Sequence, residues 1–216
     1  LLLTIRTAET MTDPLPPAVR LLNQLFLAEG CIPEDRAQKV WESIDGQQHS
    51  RGSATSLRKA VKMSNRQLAH VNLEIRGVTV DGMTYFAIVN KDPDPISKLG
   101  FASCFTTEEL NFVRLLLATL AEAPASRTTL CNLRLKLKEN EKLTHDESLK
   151  IVNRLVDEHW IWPAPAEGAA ASSPSQRRQT MNTDMTLAPR AFMELSYMLV
   201  DQFGMENSAL PQQLVF

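Results

Sequence analysis

The first third of the chain has apolar residues at helical spacing. Pro17 stands where a helix can begin, because the first turn of a helix does not use the N–H that proline lacks. Apolar side chains then recur at three- and four-residue intervals: Val19, Leu22, Leu25 and Phe26. Gly30 stands where a glycine commonly ends a helix, and Pro33 predicts a second short helix from Glu34 to Ile44.

A longer apolar stripe predicts a third helix, after which the pattern changes to strict alternation. The stripe consists of Leu57, Ala60, Val61, Ser64, Leu68 and Val71. The chain alternates from Leu73 to Arg76, Asp81-Gly82 is a turn signal, and Met83 to Asn90 is rich in aromatic and β-branched side chains. Three helices followed by a hairpin is the element order of a winged helix.

The same order of elements recurs in the second half of the chain. Two capping boxes, each a threonine followed three residues later by a glutamate, predict helices that begin after Thr106 and Thr144. Between them, a shorter helix is predicted from Ser126 or Thr128 to Leu137. The two halves share this order of elements but no detectable residue-by-residue similarity.

A second hairpin with a long tip is predicted to follow. Trp160 to Pro163 forms one short strand, and Met185 to Leu187 forms its partner. The stretch from Ala164 to Asp184 is rich in Ala, Ser, Pro and Gln, so we expect a disordered wing whose burial cannot offset the entropy of ordering. Pro189 then opens a last helix that ends at Gly204.

These patterns predict a mainly α fold with small β-hairpins (α+β), built as two winged-helix domains in tandem. An Asp-Pro-Asp-Pro segment at residues 92–95 separates them, because neither a helix nor a central strand persists through it. The predicted organisation is a flexible extension over residues 1–13, winged-helix domain A over 14–95, a bridge over 96–105, winged-helix domain B over 106–204 with its wing at 164–184, and a C-terminal tail over 205–216.

Composition narrows the classes of function. The chain has 216 residues, of which 44% are hydrophobic and 22% charged, which suits one large core or two small ones and argues against a disordered protein. The formal net charge of −2 gives no global attraction to nucleic acid, so any DNA contact needs a local basic face. No apolar run is long enough to span a bilayer, so we expect no membrane partner.

No arrangement of residues in the sequence indicates catalysis or metal binding. Phosphate-binding glycine loops, the paired-histidine zinc motif and the serine-nucleophile motif are all missing. The cysteines Cys31, Cys104 and Cys131 form no CxxC pair, so neither a zinc site nor a disulfide framework is predicted. His145 and Asp146 stand in the first turn of a capped helix, where we interpret them as exposed structural residues. We therefore predict no catalytic residue, no metal ligand and no cofactor in this chain.

Basic residues cluster around the third helix of the first domain. Residues 50–80 contain six Lys or Arg against one acid, and four of the six lie on the helix: Arg58, Lys59, Lys62 and Arg66. The third helix of a winged helix can enter the major groove, so this face is a candidate for weak, non-specific DNA contact. A solvated helix face explains the same charges, and both interpretations stay open. Residues 127–154 hold seven basic residues against four acids, which favours a solvated face there.

Some large apolar side chains exceed what two small winged-helix cores are expected to absorb. They are Ile32, Trp41, Phe101, Phe105 and Met198. If these side chains are exposed they form a partner interface, and if they are buried they fill the seam between the domains. As interface anchors we single out Trp41, Phe101 and Phe105.

The first hairpin and the sequence around it resemble a known family. Residues 73–90 read LEIRGVTVDGMTYFAIVN, residues 96–99 read ISKL and residues 105–110 read FTTEEL. A further stretch matches the same family at Leu187, Arg190, Ala191, Glu194 and Tyr197. Over roughly residues 11–203 the chain resembles non-structural maintenance of chromosomes element 1, the RING-bearing subunit of the SMC 5/6 complex.

The resemblance implies a kleisin-interacting tandem winged-helix (kite) subunit. Such a subunit binds the MAGE-type kite subunit, element 3, and with it the kleisin subunit, element 4, in nuclear DNA repair and chromosome maintenance. Family members also carry a zinc-binding RING domain associated with E3 ubiquitin ligase activity. No cysteine follows Cys131 here, so the resemblance transfers neither zinc nor ligase activity to these residues. The alternative is a nucleic-acid-binding winged-helix protein, a transcription or chromatin factor.

Overall fold

The computed structural model describes residues 15–48, 56–91, 105–138, 142–164 and 184–216, which form two winged-helix units. The first unit contains α1 (Pro17–Glu29), β1 (Cys31–Pro33), α2 (Glu34–Gln48), α3 (Leu57–Leu68), β2 (Leu73–Val80) and β3 (Met83–Asn90). The second contains α4 (Thr107–Glu122), β4 (Ala125–Ser126), α5 (Arg127–Asn132), α6 (His145–Asp157), β5 (Ile161–Pro163) and β6 (Asp184–Leu187). They are followed by α7 (Pro189–Glu194), α8 (Ser196–Asp201) and β7 (Gln213–Leu214). The predicted fold class is confirmed.

In the first unit the hairpin turns where the sequence predicts it. β2 and β3 pair antiparallel along their whole length. Asp81 and Gly82 both have positive φ, at 51° and 74°, which a two-residue hairpin turn with the twist of the sheet requires. β1 pairs with the other edge of β3, so the strand order is β1-β3-β2 with β7 beyond β2.

β3 is apolar along most of its length because both of its faces are covered. Phe86 and Ile88 point into the core of the first unit, where Phe26 meets Phe86 edge-to-face at 6.3 Å. Tyr85 and Val89 point to the opposite face, which the second unit covers. A strand buried on both faces loses the apolar–polar alternation of a half-exposed strand.

In the second unit the helices begin where the capping boxes predict. The Thr106 hydroxyl accepts from the Glu109 N–H, and the Glu109 carboxylate accepts from the Thr106 N–H at 2.8 Å. Thr144 and Glu147 form the same pair of hydrogen bonds at the start of α6. The helix predicted between these two is shorter than expected, because α5 ends after six residues and the chain continues as a 3-10 turn.

The second hairpin forms from the two predicted strands. β5 pairs antiparallel with β6, with Ile161 opposite Leu187. The predicted wing, from Ala164 to Asp184, lies outside the described residues except for its two ends. There the Ala164 N–H donates to the Asp184 carbonyl at 2.6 Å, so both end residues belong to the hairpin and not to the wing.

The last helix is interrupted, whereas the sequence predicts one helix up to Gly204. Leu195 has φ −107° and ψ 11° and separates α7 from α8. Gly204 has φ +72° and its N–H donates to the Val200 carbonyl at 3.1 Å, so the glycine ends the helical segment as predicted. The break lets α7 lie against β2 and β3 while α8 stays in the core of the second unit.

Residues 205–216, predicted as a tail, fold back onto the first unit. β7 pairs antiparallel with β2, with Leu214 opposite Gly77. The Phe216 ring packs on Phe86 with 5.4 Å between centroids. A Cβ at Gly77 would lie 3.0 Å from Phe86 Cε1 and 3.2 Å from Leu214 Cβ, so glycine is needed for both side chains to approach this strand. A strand of two residues has no periodicity, which is why the sequence pattern does not reveal it.

Each unit has its own core, and the cores absorb most of the apolar surplus. Ile32 and Trp41 are 1% and 2% exposed in the first core, and Met198 is 2% exposed in the second. The expectation that such side chains exceed the two cores is wrong for these three. The helices α2 and α8, which the sequence predicts, and the short strand β1, which it does not, all turn these side chains inward, so the two cores are larger than expected.

A third apolar cluster joins the two units. Val78, Tyr85 and Val89 of the first sheet pack against Met193 of α7. The Tyr85 ring also meets the Trp162 ring of β5 edge-on, at 5.4 Å between centroids. Burial of this apolar surface fixes one unit against the other.

Candidate interaction surfaces

Arg190 holds α7 in place beside this seam. Its Nε donates to the Glu194 carboxylate at 2.8 Å, its Nη1 donates to the Glu158 carbonyl at 3.0 Å, and its guanidinium stacks over Trp160 at 4.5 Å. Glu194 is 3% exposed, so its charge depends on this partner inside the fold. Two polar residues of the motif that the sequence singled out, Arg190 and Glu194, therefore have a structural role.

Cys31 lies at the same seam, where it packs against the third apolar cluster. Burial raises the pKa of Cys31 to about 12, and the nearby Arg190 guanidinium only partly opposes that shift. The thiolate is the nucleophilic form of cysteine, and it is not populated at neutral pH when the pKa is that high. Cys31 thus behaves as a packing side chain.

The described part of the chain shows no assembled catalytic or metal centre. Among those residues, no three His, Cys, Asp or Glu side chains are placed to hold a metal ion. His145 Nδ1 lies 3.6 Å from Asp146 Oδ1, and both side chains are more than half exposed at the start of α6. No helix in the described ranges is long and apolar enough to cross a membrane.

The four basic residues predicted on α3 share one exposed face. Ser56 caps the helix, because its hydroxyl accepts from the Lys59 N–H at 3.3 Å. The buried face consists of Leu57, Ala60, Val61 and Ser64. The exposed face consists of Arg58, Lys59, Lys62 and Arg66. Arg58 lies 3.7 Å from the Glu34 carboxylate, and the other three basic residues form no ion pair within the described residues.

Part of this face borders a groove between α3 and the edge of β2, which we call the basic groove. Its volume is about 400 Å³. Its cationic residues are Lys62, Arg66 and Lys91, and its larger apolar residues are Leu73 and Phe216. The groove also contains the Glu74 carboxylate, which is bonded to Arg76 and lies 3.8 Å from Lys91 Nζ. The acid is therefore already paired with two cations.

Asn65 fixes α3 beside β2. Its Nδ2 donates to the Ile75 carbonyl at 2.9 Å, and its Oδ1 accepts from the Ile75 N–H at 2.6 Å. The Ser64 hydroxyl donates to Asn23 Oδ1 at 2.6 Å, which ties α3 to α1 as well. The helix that carries the basic side chains is therefore hydrogen-bonded both to β2 and to α1. The role of Asn65 was not predicted from the sequence, although an amide next to the apolar stripe of a helix indicates a side chain close to the neighbouring strand.

The two predicted aromatic anchors that the structure describes, Trp41 and Phe105, lie in different units. Trp41 lies in the first core at 2% exposure, so it has no surface to offer a partner, and this corrects its assignment as an anchor. Phe105 is half-buried against the second core, and the Arg154 guanidinium lies 4.5 Å from its ring centroid. Phe101 lies outside the described residues. Of the two described candidates, Phe105 is the one that is partly accessible.

Exposed apolar side chains occur instead on the outer face of α1. Leu21 is 45% exposed and Leu27 is 64% exposed, and Ala28 beside Leu27 is also exposed. Their exposure was not predicted from the sequence, although both leucines fall outside the stripe of Val19, Leu22 and Phe26 that faces the core. An apolar residue off the buried stripe of a helix is exposed by geometry.

Comparison with known proteins places this chain in a family. The family model described as "Nse1 non-SMC component of SMC5-6 complex" matches residues 19–136. The chain belongs to the Nse1 family. The match covers the first unit, which carries the hairpin motif, and continues through α4 and α5 of this Nse1-family chain. The resemblance predicted from the sequence is confirmed.

A solved structure extends the likeness to nearly the whole fold. A chain of the "Nse1-Nse3-Nse4 complex" superposes with a TM-score of 0.70 at 18% sequence identity, covering 93% of this Nse1-family chain and 82% of the other. Both winged-helix units therefore follow a fold seen in that complex. None of the curated proteins matches the chain.

Proposed function

We propose that this chain is a kite-type scaffold subunit of the SMC 5/6 complex that binds the MAGE-type kite subunit and supports the kleisin subunit. The observation that carries the proposal is the family match over residues 19–136. The fold it shares with a chain of the Nse1-Nse3-Nse4 complex supports the same partners. The work of the subunit is then protein–protein contact, in the nucleus, in DNA repair and chromosome maintenance.

The outer face of α1 is the surface that we propose for the MAGE-type subunit. Leu21 and Leu27 are exposed apolar side chains on a helix whose opposite face is fixed by the first core. Interfaces of permanent complexes are more apolar than the rest of a protein surface, and exposed leucines fit that composition. Phe105 remains a second candidate anchor, and Phe101 remains a prediction.

The experiment is calorimetric binding of the purified chain to the MAGE-type subunit. We expect Leu27→Ala, combined with Leu21→Ala, to weaken binding about thirtyfold, equivalent to about 2 kcal/mol. Leu135→Ala is the matched control, since Leu135 is 69% exposed on the second unit. An equal loss for the control, or none for the α1 pair, would reject α1 as the interface. A chain that does not bind the MAGE-type subunit at all would reject the proposed function.

We propose that ubiquitin transfer is not performed by these 216 residues. A RING domain grips its ubiquitin-charged partner with zinc-held loops, and the cysteines here stand singly at positions 31, 104 and 131. Zinc and ligase activity are expected of the RING domain of full-length family members. Ubiquitin discharge stimulated by the purified chain, without an added partner, would contradict this.

The alternative of a DNA-binding transcription or chromatin factor is not favoured by the family match. The α3 face can still supply weak, non-specific DNA contact through Arg58, Lys59, Lys62 and Arg66, as a secondary property of the scaffold. Such binding should fall steeply with salt, because it releases counterions from phosphates. A salt titration of duplex affinity, with these four residues changed to Ala, tests it. Tight binding of the duplex that persists at high salt would instead support a DNA-binding transcription or chromatin factor.

A further inference from the structure

We propose that the basic groove binds an extended acidic segment of a protein partner in which acidic and apolar residues alternate. This goes beyond the proposed scaffold function, because it assigns a second surface, distinct from α1, and states the chemistry of its ligand. The groove fits such a ligand in its charges, in their spacing and in its apolar residues.

The groove carries an excess of positive charge. Lys62, Arg66 and Lys91 line it with exposed side chains, against one carboxylate, that of Glu74. Glu74 is 14% exposed and already bonded to Arg76. An incoming acid therefore meets cations, of which Lys62 and Arg66 form no ion pair within the described ranges. Charge complementarity selects an acidic ligand.

The spacing of the two α3 cations fits an extended chain. Lys62 and Arg66 are one helical turn apart, roughly 6 Å along the axis of α3. In an extended segment, side chains two residues apart lie on one side at a separation of roughly 6.8 Å. Two acids separated by one residue can therefore face both cations at once. The residue between them points away from α3.

The apolar residues of the groove supply a place for that intervening side chain. Leu73 and Phe216 are half-buried there, and the Phe216 ring rests on Phe86 of the core. A peptide can use the cations with its acids and these apolar surfaces with its alternate side chains. A DNA duplex offers phosphates but no apolar side chain for this surface. The mixed lining therefore favours a protein segment.

The test measures the binding of short fluorescent peptides to the full chain by anisotropy. The probe has a core of alternating Glu and Leu, and two comparison peptides replace Glu by Gln or Leu by Ser. We expect the Glu-Leu peptide to bind tightest, with an affinity that falls as salt is added, because partly exposed ion pairs are screened. A DNA duplex is titrated in parallel.

Charge-reversal variants locate the site. Lys62→Glu with Arg66→Glu should weaken the Glu-Leu peptide about tenfold or more, since two attractions become repulsions. Lys136→Glu with Lys150→Glu makes the same change of charge at exposed residues of the second unit and should have little effect. Circular dichroism melting checks folding, and Lys62→Gln with Arg66→Gln repeats the test without repulsion.

Three results would overturn the proposal. The first is equal binding of the Gln-Leu and Glu-Leu peptides. The second is an equal loss for the second-unit control variant. The third is a duplex that binds through Lys62 and Arg66 while no peptide binds, which would assign the groove to DNA.

Discussion

The third helices of the two winged-helix units are anchored alike but carry different outer surfaces. α3 buries Leu57, Ala60, Val61 and Ser64, and α6 buries Ser148, Ile151, Val152 and Leu155. Outward, α3 exposes Arg58, Lys59, Lys62 and Arg66, whereas α6 exposes Asp146, Glu147, Lys150 and Asp157. The fold fixes the inner face of this helix and leaves the outer face free to vary. A winged helix by itself therefore does not indicate DNA contact.

The two helices also begin differently. α3 has a simple cap, in which the Ser56 hydroxyl accepts from the backbone. α6 has a capping box, in which Thr144 and Glu147 satisfy each other's N–H groups. The start of α6 thus depends on a carboxylate, and the start of α3 does not.

The largest effect should come from the shared inner face. Leu57→Ala in α3 and Leu155→Ala in α6 should each lower the free energy of unfolding by about 2–5 kcal/mol, because both side chains are buried and each change leaves a cavity. Urea unfolding measures this, with the exposed Leu135→Ala as a control expected to change stability by less than about 0.5 kcal/mol. If only one helix responds, the two inner faces are not equivalent.

Removing the caps should cost less and should separate the two helices. Thr144→Ala and Ser56→Ala each remove a side-chain acceptor, which typically costs about 1 kcal/mol. We expect the larger loss for Thr144, since Glu147 loses a partner in the same change. The same urea experiment reports both values. A larger loss for Ser56 would contradict the difference drawn between the two caps.

Acidification should affect the start of α6 and leave the start of α3 unchanged. Hydrogen bonds from the Thr144 backbone and hydroxyl hold the pKa of Glu147 below its ordinary value of 4.5. A lowered pKa in the folded state means that the stabilisation is complete above pH 4.5 and is lost as the pH falls through the folded pKa. An NMR titration should show the Thr144 amide shifting below pH 4.5 while the Lys59 amide does not. Parallel shifts of the two amides would refute the distinction.

The smallest effect should come from the ion pair on the basic face. Arg58 and Glu34 lie 3.7 Å apart with the arginine side chain 65% exposed. Exposed pairs contribute little, because water and salt screen them, so Glu34→Gln should change stability by less than about 0.5 kcal/mol. The same change makes the face more positive. Peptide binding at the basic groove should therefore stay the same or strengthen slightly, and a marked weakening would count against the electrostatic interpretation of that face.

Local sequence patterns predicted most of the fold. The Asp81-Gly82 turn and the capping boxes at Thr106 and Thr144 depend on a few adjacent residues, and each is confirmed. The break at Leu195 was not predictable, because it exists to let α7 reach the first sheet, and that contact is a tertiary one. β7 was not predictable either, since two residues show no period.

The candidate surfaces show the same difference between features that nearby residues determine and features that depend on tertiary contacts. The four cations of α3 were predictable, because helical spacing alone puts them on one face. The groove beside them was not, since it needs Lys91 from the end of β3 and Phe216 from the end of the chain. Trp41 was misassigned because the sequence does not show how much core β1 and α2 provide.

The pairing of β7 with β2 has a consequence for the order in which the protein is completed during synthesis. The edge of β2 at Gly77 receives its partner, Leu214, from more than half the chain away. Until residues 212–214 leave the ribosome, the Thr79 N–H lacks the Gln212 carbonyl to which it later donates at 3.0 Å. An uncovered strand edge is a template for pairing with other chains, and contacts so distant in sequence form slowly. The newly made first unit therefore passes through an interval in which the edge of its sheet is exposed to aggregation, and this interval ends when β7 pairs with β2.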